Sequence, residues 1–570
     1  MSNFLSKIKE RIAVSKSNKF DLSCSNITTG DFFRMKPVYT REVVPGSKYK
    51  INISTFTRLQ PLVKPLYGYC EIVNRAFFVP YRTVMNGWNE FITDTKLGPN
   101  TKVSSVPTFT NANLVEVFKG SNFSTVVSSP GTYDYDFSIK SGSTVTYYQF
   151  TQLGRLCYDI MLNLGYSINF GDVVDTTVMS ALPLLSYNKV WIDWYRNPSY
   201  VYYNKEKYDG GAMTVATLNE IFQTIGYINY EKDYFTSAWD NPNGPNDGSV
   251  VSSSVSIVDP STNLSTTYSP TNAGGAPIVP MINGEGMTQY MDTALHRLTD
   301  YIKRHQLAGT RAMERFAARF GIVLSDAKLD RSLYLGTDKL PINIADVMNT
   351  AGPSDPQSGL AALGEYAGKG IGYGTGKFNL ESDEYGQLII VSVIQPKITY
   401  YQGRDREVTH VSRLQYYTPE FDGLGVQAIR KDELKADAIK VGELYSSYVP
   451  SGIFGYTSRY AEYKVPKDRI TGDFRVNSRN YGLEVYHFGR DVKGKNAGDL
   501  LHSGQFCMGD GSQYDRVFSF NDSNYDHFIT VFKFDVKAQL PMSKMFDDYE
   551  WCEDAAGRTQ TLEIGGVQMN

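Results

Sequence analysis

A glycine-rich stretch, GKGIGYGTGK at residues 368–377, is the part of the sequence that most suggests phosphate chemistry. A phosphate-binding loop needs GxxxxGK followed by Ser or Thr and then a helix, because backbone N–H groups cradle the phosphates. Here Ile371 stands where the first glycine would, Phe378 follows Lys377, and a strand is predicted next. We therefore predict a mobile glycine-rich arm or turn, since glycine suits irregular backbone.

The carboxylates, histidines and cysteines form no catalytic or metal-binding pattern. Glu381, Asp383 and Glu384 could supply the two carboxylates of a glycoside hydrolase, but a chain with 60 Asp and Glu contains many such clusters. The six histidines and five cysteines lack ligand spacing, and GxSxG and HExxH motifs are missing. We predict no enzyme activity, no metal and no cofactor, and the dispersed cysteines favour a reducing compartment.

An aromatic stretch, SYNKVWIDWYRNPSY at residues 186–200, could be a stacking platform for a sugar or a base. On a helix, one face would collect Tyr187, Val190, Trp191, Trp194 and Tyr195. Such a face is far more often core or subunit interface. Pro183 suits the first turn of this helix, and Asn197-Pro198 ends it.

A second predicted helix, at residues 291–320 with a break at Gly309, is basic. Cations on one segment could bind a phosphate backbone, but the apolar residues of the segment need a buried face. We favour structural or intersubunit pairing, with contact to nucleic acid as the second interpretation. The cations are Arg297, Lys303, Arg304, Arg311, Arg315 and Arg319.

The elements that would position these residues are mostly strands. KYKINIS and DHFITVFKFDVKAQLP alternate apolar and polar residues with period 2, which is typical of half-buried strands. EIVNRAFFVP at residues 71–80 is a further candidate, and the apolar run QLIIVSVI at 387–394 predicts a strand buried on both faces. Separated strands and few helices indicate an all-β core with long excursions.

Composition narrows the classes of function. The net charge is −3 and 21% of residues are charged. This composition predicts no strong positive electrostatic potential that would attract a polyanion. Aromatic residues make up 13%, with 41 tyrosines, which indicates extensive packed or contact surface. The sequence contains no secretory signal and no apolar run long enough to span a membrane, so we expect a soluble protein. The basic first 20 residues predict a solvated terminus or, less favoured, an arm that touches nucleic acid or membrane.

Two polar tracts, at residues 98–150 and 241–275, are rich in turn-forming residues. We expect surface loops or small decorated subdomains that project outward.

Several blocks in a fixed order resemble the major capsid proteins of the Microviridae, with the gokushovirus-like branch closer. They include VVPGSKYKINISTFTRLQPLVKPLYGYCEIVNRAFFVPYR, NGWNEFI, LPLLSYNKVWIDWYRN, KDYFTSA and GTRAMERFAARFGIVLSDAKLDRSLYLG. ITYYQGRDREVTHVSR, FGYTSRYAEYKVPKDRITGDFR and HFITVFKFDVKAQLPM continue the series up to Met542. The tract at 98–150 looks long for a gokushovirus, and Asn197-Pro198 replaces a more acidic ending.

The resemblance implies a single eight-stranded jelly roll with long insertions that carry a few helices. It implies an N-terminal arm at 1–42 and a capsid domain at 43–570, with insertions at 98–180 and 201–290. The interval 239–289 corresponds to a surface protrusion at the threefold axes in relatives.

The resemblance also implies partners and location. Copies of the chain would form pentamers and then a 60-copy T=1 shell around circular single-stranded DNA. Internal scaffolding, small basic DNA-binding and minor pilot proteins, and a bacterial surface receptor, are the implied partners. Assembly in the host cytoplasm would precede residence in the virion.

One alternative class stays open from the residues alone: a secreted or cytosolic β-sandwich that binds or degrades carbohydrate. It would explain the aromatic and acidic residues but not the ordered blocks.

Overall fold

The structure is a computed structural model, and it describes most of the chain in segments. These segments are residues 17–93, 105–128, 135–141, 144–239 with short gaps, 312–345 without 324, 369–436 without 424–425, 452–475, 483–492, 503–519 and 526–542. Residue 297 and the short strands at 255–258, 265–268, 439–441, 444–446, 562–564 and 567–569 are also described.

Eight strands form two four-stranded antiparallel sheets. In chain order they are β1 (Cys24–Gly30), β2 (Lys36–Val43), β3 (Ser47–Leu59), β4 (Cys70–Pro80), β5 (Leu333–Ala345), β6 (Lys369–Ser382), β7 (Gly386–Pro396) and β8 (Phe528–Leu540). A short strand, Asn18–Asp21, continues the pairing of β1 along β8.

The strand order is that of a jelly roll. One sheet has the order β1-β8-β3-β6 and the other β2-β7-β4-β5. Strands therefore pair first with last, second with seventh, third with sixth and fourth with fifth, as in a long antiparallel ribbon rolled into two sheets. Residues 343–345 of β5 also pair with β6, which joins the sheets along one side. The predicted eight-stranded jelly roll is confirmed.

The two sheets enclose an apolar core, and the alternation of each strand follows from its position. In β3 and β8 every second residue is buried between the sheets while the others face outward. All of β7 is buried, because Leu388 and Ile390 face the inner core and Ile389 and Val391 face a second layer of helices. The patterns predicted for these strands are confirmed.

Two insertions carry the remaining structure, between β4 and β5 and between β7 and β8. The first contains α1 (Trp88–Thr93), α2 (Asn111–Phe118), α3 (Gln152–Asn163), α4 (Leu182–Val190), α5 (Val215–Thr224) and α6 (Ala312–Phe320). Its strands include Pro107–Thr110, Ser124–Val127, Phe137–Ser141, Thr144–Phe150, Val178–Ser180 and Gly211–Ala212. The second contains the antiparallel pair of Val426–Arg430 with Ile453–Ser458 and several single helical turns.

The helical content of the first insertion exceeds the prediction of two helices. Helix α3 begins at the cap Thr151, whose hydroxyl accepts from the Gly154 N–H, and it buries Leu156 and Ile160. The tract at 98–150, expected as loop or decorated subdomain, forms in its described part a helix and the three-stranded sheet of Ser124–Val127, Thr144–Phe150 and Phe137–Ser141.

The glycine-rich stretch is a strand and not an arm or turn, so that prediction is wrong. Residues 369–382 form β6, and its glycines face inward at every second position. A Cβ on Gly374 would lie 2.6 Å from Leu340 Cδ1, and one on Gly376 would lie 2.6 Å from Asp338 Cβ. Glycine is needed here because β5 approaches β6 closely where the two sheets join.

The division of the chain also differs from the expected one. Asn18–Asp21, β1 and most of β2 belong to the jelly roll, whereas the resemblance implies an N-terminal arm at residues 1–42. Of the interval 239–289, the structure describes Trp239 and the paired strands Val255–Val258 and Ser265–Tyr268. The Trp239 N–H and C=O both bond to Tyr456 at 2.8 Å, so Trp239 belongs to the folded body.

Candidate assembly and genome-contact surfaces

The aromatic stretch forms the predicted helix and lies within the first insertion. Helix α4 has Pro183 in its first turn and continues as a π-helical turn, Trp191–Tyr195, which ends at Arg196 before Asn197-Pro198. A proline in the first turn costs no hydrogen bond, and the residue before a proline avoids helical backbone. The helix packs against β4 and β7, on the outer side of their sheet.

The rings of this helix are covered by the same chain. Trp191 is 4% exposed and donates its indole N–H to the Tyr227 C=O at 2.7 Å. Tyr187 is fully buried and its hydroxyl donates to the Met35 C=O. Trp191 is therefore covered by the core of its own subunit.

The other two aromatic residues lie against the barrel. The Trp194 ring lies 5.6 Å from the Phe77 ring and 5.3 Å from the Tyr334 ring, measured between centroids. Tyr195 packs edge-on against Phe77 and lies 5.3 Å below the guanidinium of Arg75. The stretch is therefore a core helix and not an open platform for a ligand.

Polar residues of the helix form a buried link to β5. Lys189 is 3% exposed and its Nζ lies 3.2 Å from Asp193 Oδ1. The other carboxylate oxygen of Asp193 accepts from both the N–H and the hydroxyl of Ser332 at 2.8 Å. A buried charge needs such partners, since an unpaired one would cost several kcal/mol.

The basic segment is only partly described. Arg297 is helical and exposed, and Arg315 and Arg319 lie on α6, the described part of the predicted helix at 291–320. Lys303, Arg304 and Arg311 lie outside the described residues. Contact of these six cations with nucleic acid therefore stays a prediction.

Two carboxylates of the cluster Glu381, Asp383 and Glu384 are held in ion pairs. Glu381 pairs with Lys48 at 2.5 Å across β6 and β3. Arg82 binds Glu384 through Nε at 2.5 Å. Glu381 and Glu384 are therefore solvent-exposed carboxylates engaged in surface ion pairs.

A cluster of buried charged residues lies at one end of the barrel, and no local sequence pattern predicts it. Lys36 and Arg34 both pair with Asp526, the latter at 3.1 Å. Burial acts to raise the pKa of Asp526, but the charges of Lys36 and Arg34 outweigh it and the pKa is lowered. The members are Asp31, Arg34, Lys36, Asp515, Asp526 and His527.

Three of these residues have the donor types of a metal site. Asp31, Asp515 and His527 each offer one ligand atom, and the atoms lie within 4.8 Å of one another. Arg34 Nη2 lies 3.5 Å from Asp31 Oδ2, so a protein cation already compensates the carboxylates. Burial, and then the charge of Asp31, raise the pKa of Asp515 to about 7. We interpret the cluster as a set of ion pairs with balanced charge that connects the ends of β1 and β8 to the second insertion.

Comparison with known proteins identifies the family. The model of the family "Capsid protein (F protein)" matches residues 8–116 and 289–548, which is more than half of the chain. The chain belongs to this capsid protein family. The matched ranges include all eight strands of the jelly roll.

Curated relatives agree with this assignment. The capsid protein VP1 of Chlamydia phage 1 is 24% identical over 93% of this chain and 95% of its own length. The capsid protein VP1 of Bdellovibrio phage phiMH2K is 23% identical over 82% of this chain and 84% of its own length. The capsid protein VP1 of Spiroplasma virus 4 matches a shorter part, 32% of this chain, at 24% identity. The predicted resemblance to the Microviridae is thereby confirmed.

Among the described helices, none is long and apolar enough to cross a membrane.

Proposed function

We propose that this capsid protein assembles through pentamers into a 60-copy T=1 icosahedral shell that encloses a circular single-stranded DNA phage genome. The observation that carries the proposal is the jelly-roll strand order, β1-β8-β3-β6 and β2-β7-β4-β5, in a member of a capsid family. In a jelly roll the edges of the strands are paired or covered, which makes the sheets a rigid unit. The loops at the ends of this unit can then contact neighbouring copies.

Exposed apolar side chains in the loops support contacts with other copies. Tyr69 is 77% exposed, Val408 73% and Val411 89%. In a monomer these side chains would remain in water, whereas a closed shell buries such groups in heterologous interfaces. Large aromatic residues contribute much of the contact energy of such interfaces.

The resemblance to the Microviridae supports the choice of the remaining partners. Internal scaffolding, small basic DNA-binding and minor pilot proteins would act together with this chain, and surface loops would contact a bacterial receptor. The protein would assemble in the host cytoplasm and reside in the virion, where its role is structural and not enzymatic.

Sedimentation velocity and negative-stain microscopy of the expressed protein test the proposal. We expect pentamers, and closed shells when the phage's scaffolding protein is co-expressed. A monodisperse monomer under co-expression would contradict assembly, and hydrolysis of glycans by that monomer would favour the carbohydrate class instead.

A further inference from the structure

The outer face of the sheet β1-β8-β3-β6 carries a row of exposed apolar and aromatic residues. The registers place Ile27 opposite Val531, Val531 opposite Phe56, and Phe56 opposite Tyr373. Ile27 is 74% exposed and Tyr373 68%. Four outward side chains in one line across four strands therefore remain uncovered or only half covered by the rest of the subunit.

The next row strengthens this apolar band. Ile529, Arg58 and Ile371 are opposite one another on β8, β3 and β6. The Arg58 guanidinium lies 5.1 Å from the centre of the Phe56 ring. The face thus presents a phenyl ring, a phenol ring and a guanidinium plane side by side, all of which can stack on flat rings.

Cations flank the band, and most of the acidic residues nearby are already neutralised. Glu381 pairs with Lys48, and Asp21 and Asp535 pair with Lys537. On the described residues of the four strands β1, β8, β3 and β6, four further outward cations make no ion pair. They are Lys50, Arg58, Lys377 and Lys533.

The spacing suits a chain of bases and phosphates. Phe56 and Tyr373 are cross-strand neighbours, so their Cβ atoms lie about 5 Å apart. Successive outward residues along a strand are about 7 Å apart. Lys533 and Arg58 therefore lie one row to either side of the ring row, and Lys377 two rows away.

We propose that this face is the surface through which the shell subunit binds single-stranded DNA, with bases stacked on Phe56 and Tyr373 and phosphates held by Arg58, Lys377 and Lys533. The inference rests on the proposed function, because it assigns the genome a contact surface within the shell. Single-strand binding needs aromatic rings for stacking and cations along the backbone path, without base-specific hydrogen bonds.

Charge decides between this occupant and a protein segment. The face has an excess of cations, so a polyanion is attracted and a basic segment is repelled. Residues 1–16 include Lys7, Lys9, Arg11 and Lys16 against Glu10, so the chain's own N-terminal segment has the wrong sign to cover the face.

The test uses the full chain as purified pentamers or shell subunits and a fluorescein-labelled oligothymidylate. Binding is followed by fluorescence anisotropy over a series of salt concentrations. The double variant Phe56→Ala/Tyr373→Ala should bind roughly tenfold more weakly per ring, because stacking on one ring is worth about 1–3 kcal/mol. Its salt dependence should equal that of the unmodified protein.

The cation variant should show the complementary change. Arg58→Gln/Lys533→Gln should reduce the slope of log affinity against log salt by about 1.4, since each phosphate contact to a single strand contributes about 0.7. Matched controls are Tyr135→Ala and Lys397→Gln, an exposed tyrosine and an exposed lysine outside this face, and neither should change binding.

The outcomes separate the inference from the proposed function. If the unmodified protein forms shells and both double variants bind the oligonucleotide like it, the inference is overturned while shell formation stands. If the double variants keep their DNA affinity but lose assembly, the face is a protein contact and the inference is also overturned. If the unmodified protein forms no shell under scaffolding co-expression, the proposed function itself fails.

Discussion

The guanidinium of Arg331 lies 3.7 Å from the centre of the Trp194 indole ring. Arg331 also donates through Nη2 to the Asp193 C=O at 3.0 Å, and Trp194 donates its indole N–H to the Ser332 hydroxyl at 2.9 Å. Arg331 and Ser332 directly precede β5, whereas Trp194 belongs to the helix that covers β4. These contacts connect the last residues of the insertion between β4 and β5 to a helix in the first half of that insertion.

Arg331→Ala should lower the free energy of unfolding of the subunit by roughly 2 kcal/mol, from a buried cation–π contact and one charge-assisted hydrogen bond. Arg331→Lys should recover only part of this, because an ammonium lacks the planar surface that stacks on the indole. Urea unfolding measures both. Equal stability of Arg331→Ala and the unmodified subunit would show that the contact is not formed in solution.

Trp191→Ala should cost about 3–5 kcal/mol, as for other large aromatic residues removed from a core. Trp191→Phe keeps most of the ring volume and removes the indole donor to Tyr227, so a smaller loss is expected. Thermal unfolding of the two variants separates the contributions of packing and of the hydrogen bond. A loss within experimental error for the alanine variant would mean that the ring is exposed.

Gly376→Ala should destabilise the jelly roll by about 1–3 kcal/mol, since the new methyl group would collide with Asp338 Cβ. Thr375→Ala is the matched control, because Thr375 is the outward-facing neighbour on the same strand. Denaturant midpoints of the two variants provide the comparison. If both variants behave alike, β6 and β5 do not approach as closely as the structure shows.

Asp515→Asn should stabilise the subunit at alkaline pH. An unfolded aspartate titrates near 3.9, whereas burial and Asp31 raise the pKa of Asp515 to about 7 in the folded protein. Between these values the folded state binds more protons, so stability falls as pH rises from about 4 to 7 and stays low above. The variant lacks this fall and should gain roughly 2 kcal/mol at pH 8 and little at pH 4.

Unfolding free energies across this pH range test the prediction, with the exposed Asp383→Asn as control. A gain for Asp515→Asn that is independent of pH would show that its carboxyl is not the titrating group.

Deleting residues 241–289 and closing the gap with a short glycine-serine linker should leave the jelly roll folded, because Trp239 and its two hydrogen bonds to Tyr456 are kept. The particle surface should lose a projection at the threefold axes. Circular dichroism and negative-stain microscopy report the two effects. A misfolded variant would place the tract in the core.

Local patterns in the sequence predict both the strands with one solvent-exposed face and the strand that is buried on both faces. The alternation in β8 and the apolar run of β7 translate directly into burial, because each strand reports its own environment. The glycines of β6 also alternate with period 2, which is the spacing of a strand, although glycine-rich sequence is more typical of loops. Helix α3 also has a local signal in the sequence, the cap residue Thr151 followed by apolar residues at helical spacing.

The buried charge cluster could not be predicted from local pattern. Asp31 and His527 are separated by 496 positions and meet only because β1 pairs with β8. The same holds for the ring row on the outer sheet face, since Ile27, Phe56 and Tyr373 come together through register alone. The register between strands that are distant in the chain is set by the whole fold, so it does not follow from the local pattern of a single sequence.

A cryo-electron microscopy reconstruction of the assembled particle tests the central claim most directly. We expect an icosahedral shell of 60 copies with one jelly roll per copy and with the face that carries Phe56 and Tyr373 turned toward the genome. Particles of another symmetry, or a shell whose density does not accommodate the strand order β1-β8-β3-β6 and β2-β7-β4-β5, would contradict it.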